Sequence, residues 1–179
     1  MQGFLDPDKI LDELEIHDDI VLKRDMVVAD FGCGSGGFTI PLAKRLDNGL
    51  VHAVDIQESS LSALKSQTLL DNLSNIRFIR ADLEESKASS LQDSSIDLVL
   101  VVNTLFQIDD KNAIISEADR ILKKQGRLLI IDWLPQAPQG PETRISPDDV
   151  KKRAQDIGFA LKKEIKARKY HYGLVFEKS

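Results

Sequence analysis

Five short apolar runs, separated by stretches of helical period, constrain this chain more than any other feature. They are "MVVADF" (26–31), "LVHAVDI" (50–56), "IRFIRAD" (76–82), "IDLVLVV" (96–102) and "RLLIIDW" (127–133). Short, nearly continuous runs rich in Val, Ile and Leu suit strands covered on both faces, as in a parallel sheet. The intervening segments read as helices. One spans 37–46, where Pro41 is tolerable near the first turn. A second spans 59–72, with Leu61, Leu64, Leu69 and Leu70 as its stripe. A third spans 111–124, capped by Asp109 or Asp110 and ended by Gly126. This alternation predicts a parallel sheet with helices on both faces. The last stretch departs from it. In "ISPDDVKKRAQDIGF", Ser146 caps a helix, Pro147 takes its first position and Asp149 closes a capping box. "ALKKEIKAR" (160–168) and "YGLVFEK" (172–178) then predict an antiparallel hairpin, because only a few residues separate them.

The 179 residues fit a single domain. A net charge of −5 provides no global basic field for nucleic acid or an anionic membrane. The longest apolar run, "LVLVV", is too short to span a bilayer. Cys33 is the only cysteine, which excludes an intramolecular disulfide and a cysteine-based zinc site, and no metal site is expected. The acidic, interrupted start "MQGFLDPDKILDELEIHDD" does not read as a signal peptide, so the expected location is cytoplasmic.

The first strand runs into "GCGSGG", which holds four of the ten glycines. A glycine-rich strand-to-helix loop lets a ligand approach the backbone closely. Gly32, Gly34 and Gly37 satisfy G-x-G-x-x-G, the dinucleotide spacing, and Gly32, Gly34 and Gly36 satisfy G-x-G-x-G. The neighbouring acids separate the two. Asp30 lies two residues before Gly32 and would oppose a pyrophosphate, while favouring an ammonium or sulfonium. Asp55 ends the second strand, where an acid accepts hydrogen bonds from ribose hydroxyls. Asp82 ends the third and suits an adenine amino group. Three carboxylates at neighbouring strand ends suit a cationic nucleoside.

"VVADFGCGSGGFTIPLAK", "VHAVDIQESSL", "IRFIRADLEE" and "IDLVLVVNTLFQIDD" occur in that order. They resemble the successive motifs of class I S-adenosylmethionine-dependent methyltransferases, and in particular the ubiquinone/menaquinone C-methyltransferase-like branch. The resemblance covers the chain from about Phe4 to Lys178. It implies a Rossmann-like, doubly wound α/β sheet of seven strands in the order 3-2-1-4-5-7-6, the last antiparallel. One domain over 1–179 is expected, with a helical lid region at 1–25. Carried over by position, Asp30 and the backbone of Gly32, Cys33, Gly34, Ser35 and Gly36 would hold the methionine part of S-adenosylmethionine. Asp55 would bind the ribose and Ile56 would pack on the adenine. Asp82 and the backbone of Leu83 would read the adenine edge, and Asn103 would border the methyl group. The product would be S-adenosylhomocysteine.

Such a donor is already activated, so alignment of the acceptor can supply most of the acceleration. "VNTLF" after the fourth strand lacks the Asn/Asp-Pro-Pro-aromatic pattern of many amino-group methyltransferases, which argues for a small-molecule acceptor. Three pieces would roof the site: the start of the chain with Phe4 and Leu5, the loop "WLPQAPQGPETR" (133–144), and the "KYHY" turn (169–172). Phe4, Trp133, Arg144 and Tyr170 are the substrate-side candidates, with Arg144 suited to an anionic acceptor. His171, with Tyr172, is the candidate catalytic group, since an imidazole is a base near neutral pH. Aromatic cross-strand packing in the hairpin is the competing account of that cluster. His17 and His52 read as ordinary surface or strand residues. "KKEIKARK" (162–169) reads as a solvated edge strand. Two other functions are compatible with the residues: an NAD-dependent oxidoreductase using the G-x-G-x-x-G spacing, and a cofactor-binding regulatory protein without turnover.

Overall fold

The computed structural model describes residues 5–16, 20, 22–165 and 167–179. Seven strands are present: β1 (Val27–Phe31), β2 (Leu50–Asp55), β3 (Ile76–Arg80), β4 (Ile96–Val102), β5 (Leu122–Trp133), β6 (Phe159–Ile165) and β7 (His171–Lys178). They form one sheet in the order β3-β2-β1-β4-β5-β7-β6. The pairs from β3 to β5 are parallel, and β7 lies antiparallel between β5 and β6. The chain winds outward from β1 in both directions. The crevice above the carboxyl ends of β1 and β4 is therefore a topological switch point, where ligands bind in open α/β sheets.

Both faces are covered. Helices α1 (Pro7–Ile16), α2 (Thr39–Arg45) and α3 (Glu58–Leu70) pack Leu14, Leu42 and Leu64 against Val28, Val51, Leu100 and Leu129. Helices α4 (Lys111–Ile121) and α5 (Pro147–Ile157) pack Ile114, Ile115, Val150 and Ala154 against Phe31, Val99, Ile130 and Phe176. Double coverage explains why β4 and β5 read as continuous apolar runs. Asp110 caps α4, accepting from the backbone N–H groups of Asn112 and Ala113. Ser146 Oγ caps α5 by accepting from Asp149 N at 3.1 Å. The capping-box acid accepts from the Ser146 hydroxyl at 2.9 Å.

Two boundaries and one buried stripe differ from the sequence reading. Helix α4 stops at Ile121, not at 124, and Gly126 does not end it. Buried Leu122 pairs with Ile96 instead, and the register then shifts to Leu98 opposite Arg127. Strand pairing of an apolar residue wins over one more helical turn. Helix α2 begins at Thr39 rather than Gly37. Leu69 and Leu70 are 73% and 75% exposed, so the buried stripe of α3 is Leu61, Leu64 and Thr68.

Candidate active site

The loop after β1 is braced against β2. Gly32 N and Cys33 N both donate to Val54 O, at 2.8 and 3.1 Å, and Gly36 N donates to Cys33 O at 3.0 Å. Gly34 N donates to Asp55 Oδ2 at 2.8 Å. These amides are engaged within the protein and do not form an open nest for an anion. Two glycines are required by space as well as by backbone. Gly32 has φ +71°, and a Cβ there would lie 2.3 Å from Thr104 Oγ1. Gly36 has φ +96°, and a Cβ there would lie 2.2 Å from Leu64 Cδ1.

The three acids stand around this loop. Asp55 is buried at the end of β2, and its second oxygen accepts from Gln57 N at 2.8 Å. Asp82 follows β3 and accepts from Glu84 N at 3.0 Å. Asp30 lies inside β1, 2% exposed, and accepts from Thr39 Oγ1 at 2.6 Å. Burial pushes the Asp30 carboxyl up to about 6, partly countered by the Thr39 hydroxyl.

Two cavities meet at the ends of β1 and β4. The larger, about 410 Å³, is lined by Gly32, Gly34, Asp55, Ile56, Asp82, Leu83 and Asn103 among others. The smaller, about 260 Å³, is lined by Leu5, Asp30, Cys33, Phe38 and Asn103 among others. Gly32, Val102 and Asn103 border both. Ile56 leaves half its surface exposed on the larger cavity. Asn103 has φ +52°, and its buried Oδ1 has no hydrogen-bond partner among the described residues. Ser35, expected on the loop, is exposed. The sequence reading missed Gln57, Ser60, Thr104 and Gln107 on the larger cavity's wall. It also missed Thr39 under Asp30. Gln57 and Ser60 follow Asp55 so closely that their proximity was readable. Thr39 carried no signal.

The acceptor-side candidates divide. Phe4 lies outside the described residues, as does His17. His171 is 1% exposed, and its ring centroid lies 4.2 Å from that of half-buried Trp133, at 42°. Tyr172 does not join them. Strand alternation turns it to the opposite face, where its hydroxyl donates to Ile145 O at 3.2 Å. The guanidinium of Arg144, expected to meet an anionic acceptor, donates to the carbonyls of Leu134, Pro135, Ala137, Gln139 and Pro141. It staples its own loop. Leu134 N donates to Tyr170 O at 2.8 Å, joining that loop to the hairpin turn.

Residues 22–171 match the methyltransferase domain family. The chain belongs to that family. A solved S-adenosylmethionine-dependent methyltransferase from Aquifex aeolicus has the same fold, with a TM-score of 0.85 at 24% identity over 98% of this chain and 90% of that one. The ubiquinone/menaquinone biosynthesis C-methyltransferase UbiE of Idiomarina loihiensis is 29% identical over 63% of this chain and 44% of its own length. A 23S rRNA (uracil-C(5))-methyltransferase of Marinomonas posidonica is 34% identical over 44% of this chain and 18% of its own length. The chain thus spans less than half the length of these curated relatives. No helix among the described residues is long and apolar enough to cross a membrane.

Burial dominates the electrostatics of this methyltransferase domain. It raises the Cys33 thiol far above its ordinary range, so that thiol stays protonated. It lowers His171 to about 4, so the imidazole is neutral at pH 7. It raises Asp132, next to Trp133 on β5, to about 6, although backbone N–H groups of Trp133, Phe106 and Leu105 stabilise that carboxylate.

Proposed function

We propose that this chain is an S-adenosylmethionine-dependent methyltransferase acting on a small-molecule acceptor. The observation that carries this reading is a glycine loop in which the N–H groups of Gly32, Cys33, Gly34 and Gly36 are engaged, set beside carboxylates from three adjacent strands. A pyrophosphate needs free N–H groups and no facing carboxylate. A cationic nucleoside needs the reverse, which counts against the NAD-dependent alternative.

Bound S-adenosylmethionine supplies a methyl group activated by a sulfonium, so the protein's task is orientation. Asp55 would accept from the ribose hydroxyls, with its carboxylate already aimed by Gly34 N and Gln57 N. Ile56 would pack on the adenine, and Asp82 with the backbone of Leu83 would read its edge. Asp30 and the backbone from Gly32 through Cys33, Gly34 and Ser35 to Gly36 would face the methionine part. Asn103, at the junction of the two cavities, would border the reacting carbon. The stretch 1–25 would cover the cleft within one domain spanning 1–179. Leu5 and Pro7 on the smaller cavity support that cover, as does the 3.2 Å ion pair from Asp6 to Arg168.

Calorimetry tests the cofactor. S-adenosylmethionine and S-adenosylhomocysteine are expected to bind, and NAD to bind much more weakly; tighter NAD binding would overturn the assignment. The acceptor size rests on the net charge of −5 and on the engagement of Arg144 and Arg168 within the protein. Methyl transfer to an RNA in preference to every small acceptor would overturn that part.

Asp30 gives the binding a pH dependence. Above about pH 6 the carboxylate is ionised and attracts the cationic cofactor. Below that value a proton must leave before the cation can pair. Affinity is therefore expected to fall as pH drops through 6, by at most about tenfold per unit, since one proton is linked. Asp30→Asn is expected to bind more weakly at pH 7.5 and to lack this bend. The same bend surviving in the variant would assign it to another group.

A further inference from the structure

We propose that the indole of Trp133, braced by the ring of His171, is the wall against which the methyl acceptor packs, and that it selects acceptors carrying no anionic group. This rests on the methyltransferase reading above. Ile131 and Val175 belong to the core on the α1–α3 side. Trp133 lies two residues past Ile131 on β5 and His171 four residues before Val175 on β7, directly opposite each other. Alternation thus puts both on the sheet face that carries Asp30 and Val102. Asn103 N donates to Ile131 O at 2.8 Å, and Trp133 lies about 7 Å further along that strand. The indole therefore stands two strand residues beyond the position paired with Asn103, outside the residues that line the two cavities.

The indole is clamped. The His171 ring lies against it at a tilt of 42°, and Gly140 approaches so closely that a Cβ there would lie 2.5 Å from Trp133 Cε3. Trp133 still keeps part of its surface open, whereas His171 is enclosed. Neither imidazole nitrogen has a partner among the described residues, and burial keeps the ring neutral at pH 7. His171 thus offers this wall a ring and no positive charge. Among the described residues the two nearby arginines are engaged. Arg144 holds five carbonyls, Arg168 pairs with Asp6, and the Lys169 ammonium lies 5.3 Å above the Tyr170 ring. An anionic acceptor would meet aromatic carbon and the Asp30 carboxylate. Neither described arginine is free to offset the desolvation of its charge there. An uncharged nucleophile bears no such penalty.

Trp133 is the only tryptophan, so its emission reports on this wall alone. With S-adenosylhomocysteine saturating by calorimetry, two matched pairs are titrated: catechol against 3,4-dihydroxybenzoate, and 2-mercaptoethanol against 3-mercaptopropionate. Saturable changes in emission are expected from the neutral members, with the acids binding at least about tenfold more weakly. His171→Ala is expected to shift the Trp133 emission and raise the acceptor KM several-fold, with kcat and cofactor affinity nearly unchanged. His171→Phe, which keeps a ring, is expected to restore KM. Acids binding as well as their neutral partners would overturn the proposal, as would an emission unchanged by every probe while cofactor binds normally. Collapse of kcat in His171→Phe would also overturn it, in favour of proton transfer by the imidazole. Absence of any heat with S-adenosylmethionine would instead sink the methyltransferase reading itself.

Discussion

Gly32→Ala is expected to destabilise the protein by about 2–5 kcal/mol and to abolish cofactor binding. Two costs add. A non-glycine residue in left-handed backbone costs about 1–2 kcal/mol, and overfilling a packed site costs about 1–3 kcal/mol. Here φ is +71°, and the new methyl would sit 2.3 Å from Thr104 Oγ1 and 2.7 Å from its Cγ2. Thr104 cannot step aside freely, because its hydroxyl donates to Phe31 O and Val102 O, at 3.2 and 3.0 Å. For a chain of this size the loss corresponds to a Tm lower by about 4–20 °C. Adding Thr104→Ala removes the two nearest atoms and is expected to recover part of the stability. A Gly32→Ala protein that melts with its parent would show that the loop yields more easily than its packing implies.

Asp55→Ala is expected to weaken S-adenosylmethionine binding by about 1.5–3 kcal/mol, roughly 10- to 150-fold, the range for lost charge-assisted hydrogen bonds. The carboxylate serves two ends at once. It would meet the ribose, and it also accepts from Gly34 N and Gln57 N. Its removal leaves both amides without their acceptor, so the glycine loop should lose order as well. Asp55→Asn keeps the side chain's volume and one acceptor oxygen, and is expected to fall between parent and alanine variant. The fold itself should persist, because the apolar layers on both faces are untouched. Calorimetry with each variant checks this, and an unchanged affinity in Asp55→Ala would remove Asp55 from the cofactor site.

The strands were legible because double coverage forces them to be apolar throughout, and the ends of the first three were legible because an acid or a glycine lies at each. Asp55 and Asp82 line the larger cavity for that reason. The division between His171 and Tyr172 was also readable: neighbours on a strand face opposite ways, and Tyr172 shares its parity with Leu174 and Phe176. What the sequence concealed depends on partners distant along the chain or on loop geometry. The hook at 122–126 follows from Leu122 finding Ile96. Arg144 satisfies carbonyls that only the folded loop turns inward. Thr104 matters because it fills the space that Gly32 leaves.

The insertion of β7 between β5 and β6 has a bearing on how the sheet is assembled. β7 is the last of the seven strands to leave the ribosome, yet its residues His171 to Phe176 are all buried. Until it emerges, β5 offers the unpaired backbone of Leu128 to Ile131, four consecutive apolar residues, and β6 has no neighbour. Exposed strand edges of that composition recruit other chains. The pairings that close the sheet also join segments far apart in sequence, such as Arg127 with Glu177, and such contacts form slowly. During that interval the open edges favour association with other chains, and the strand that carries His171 is the one that closes them.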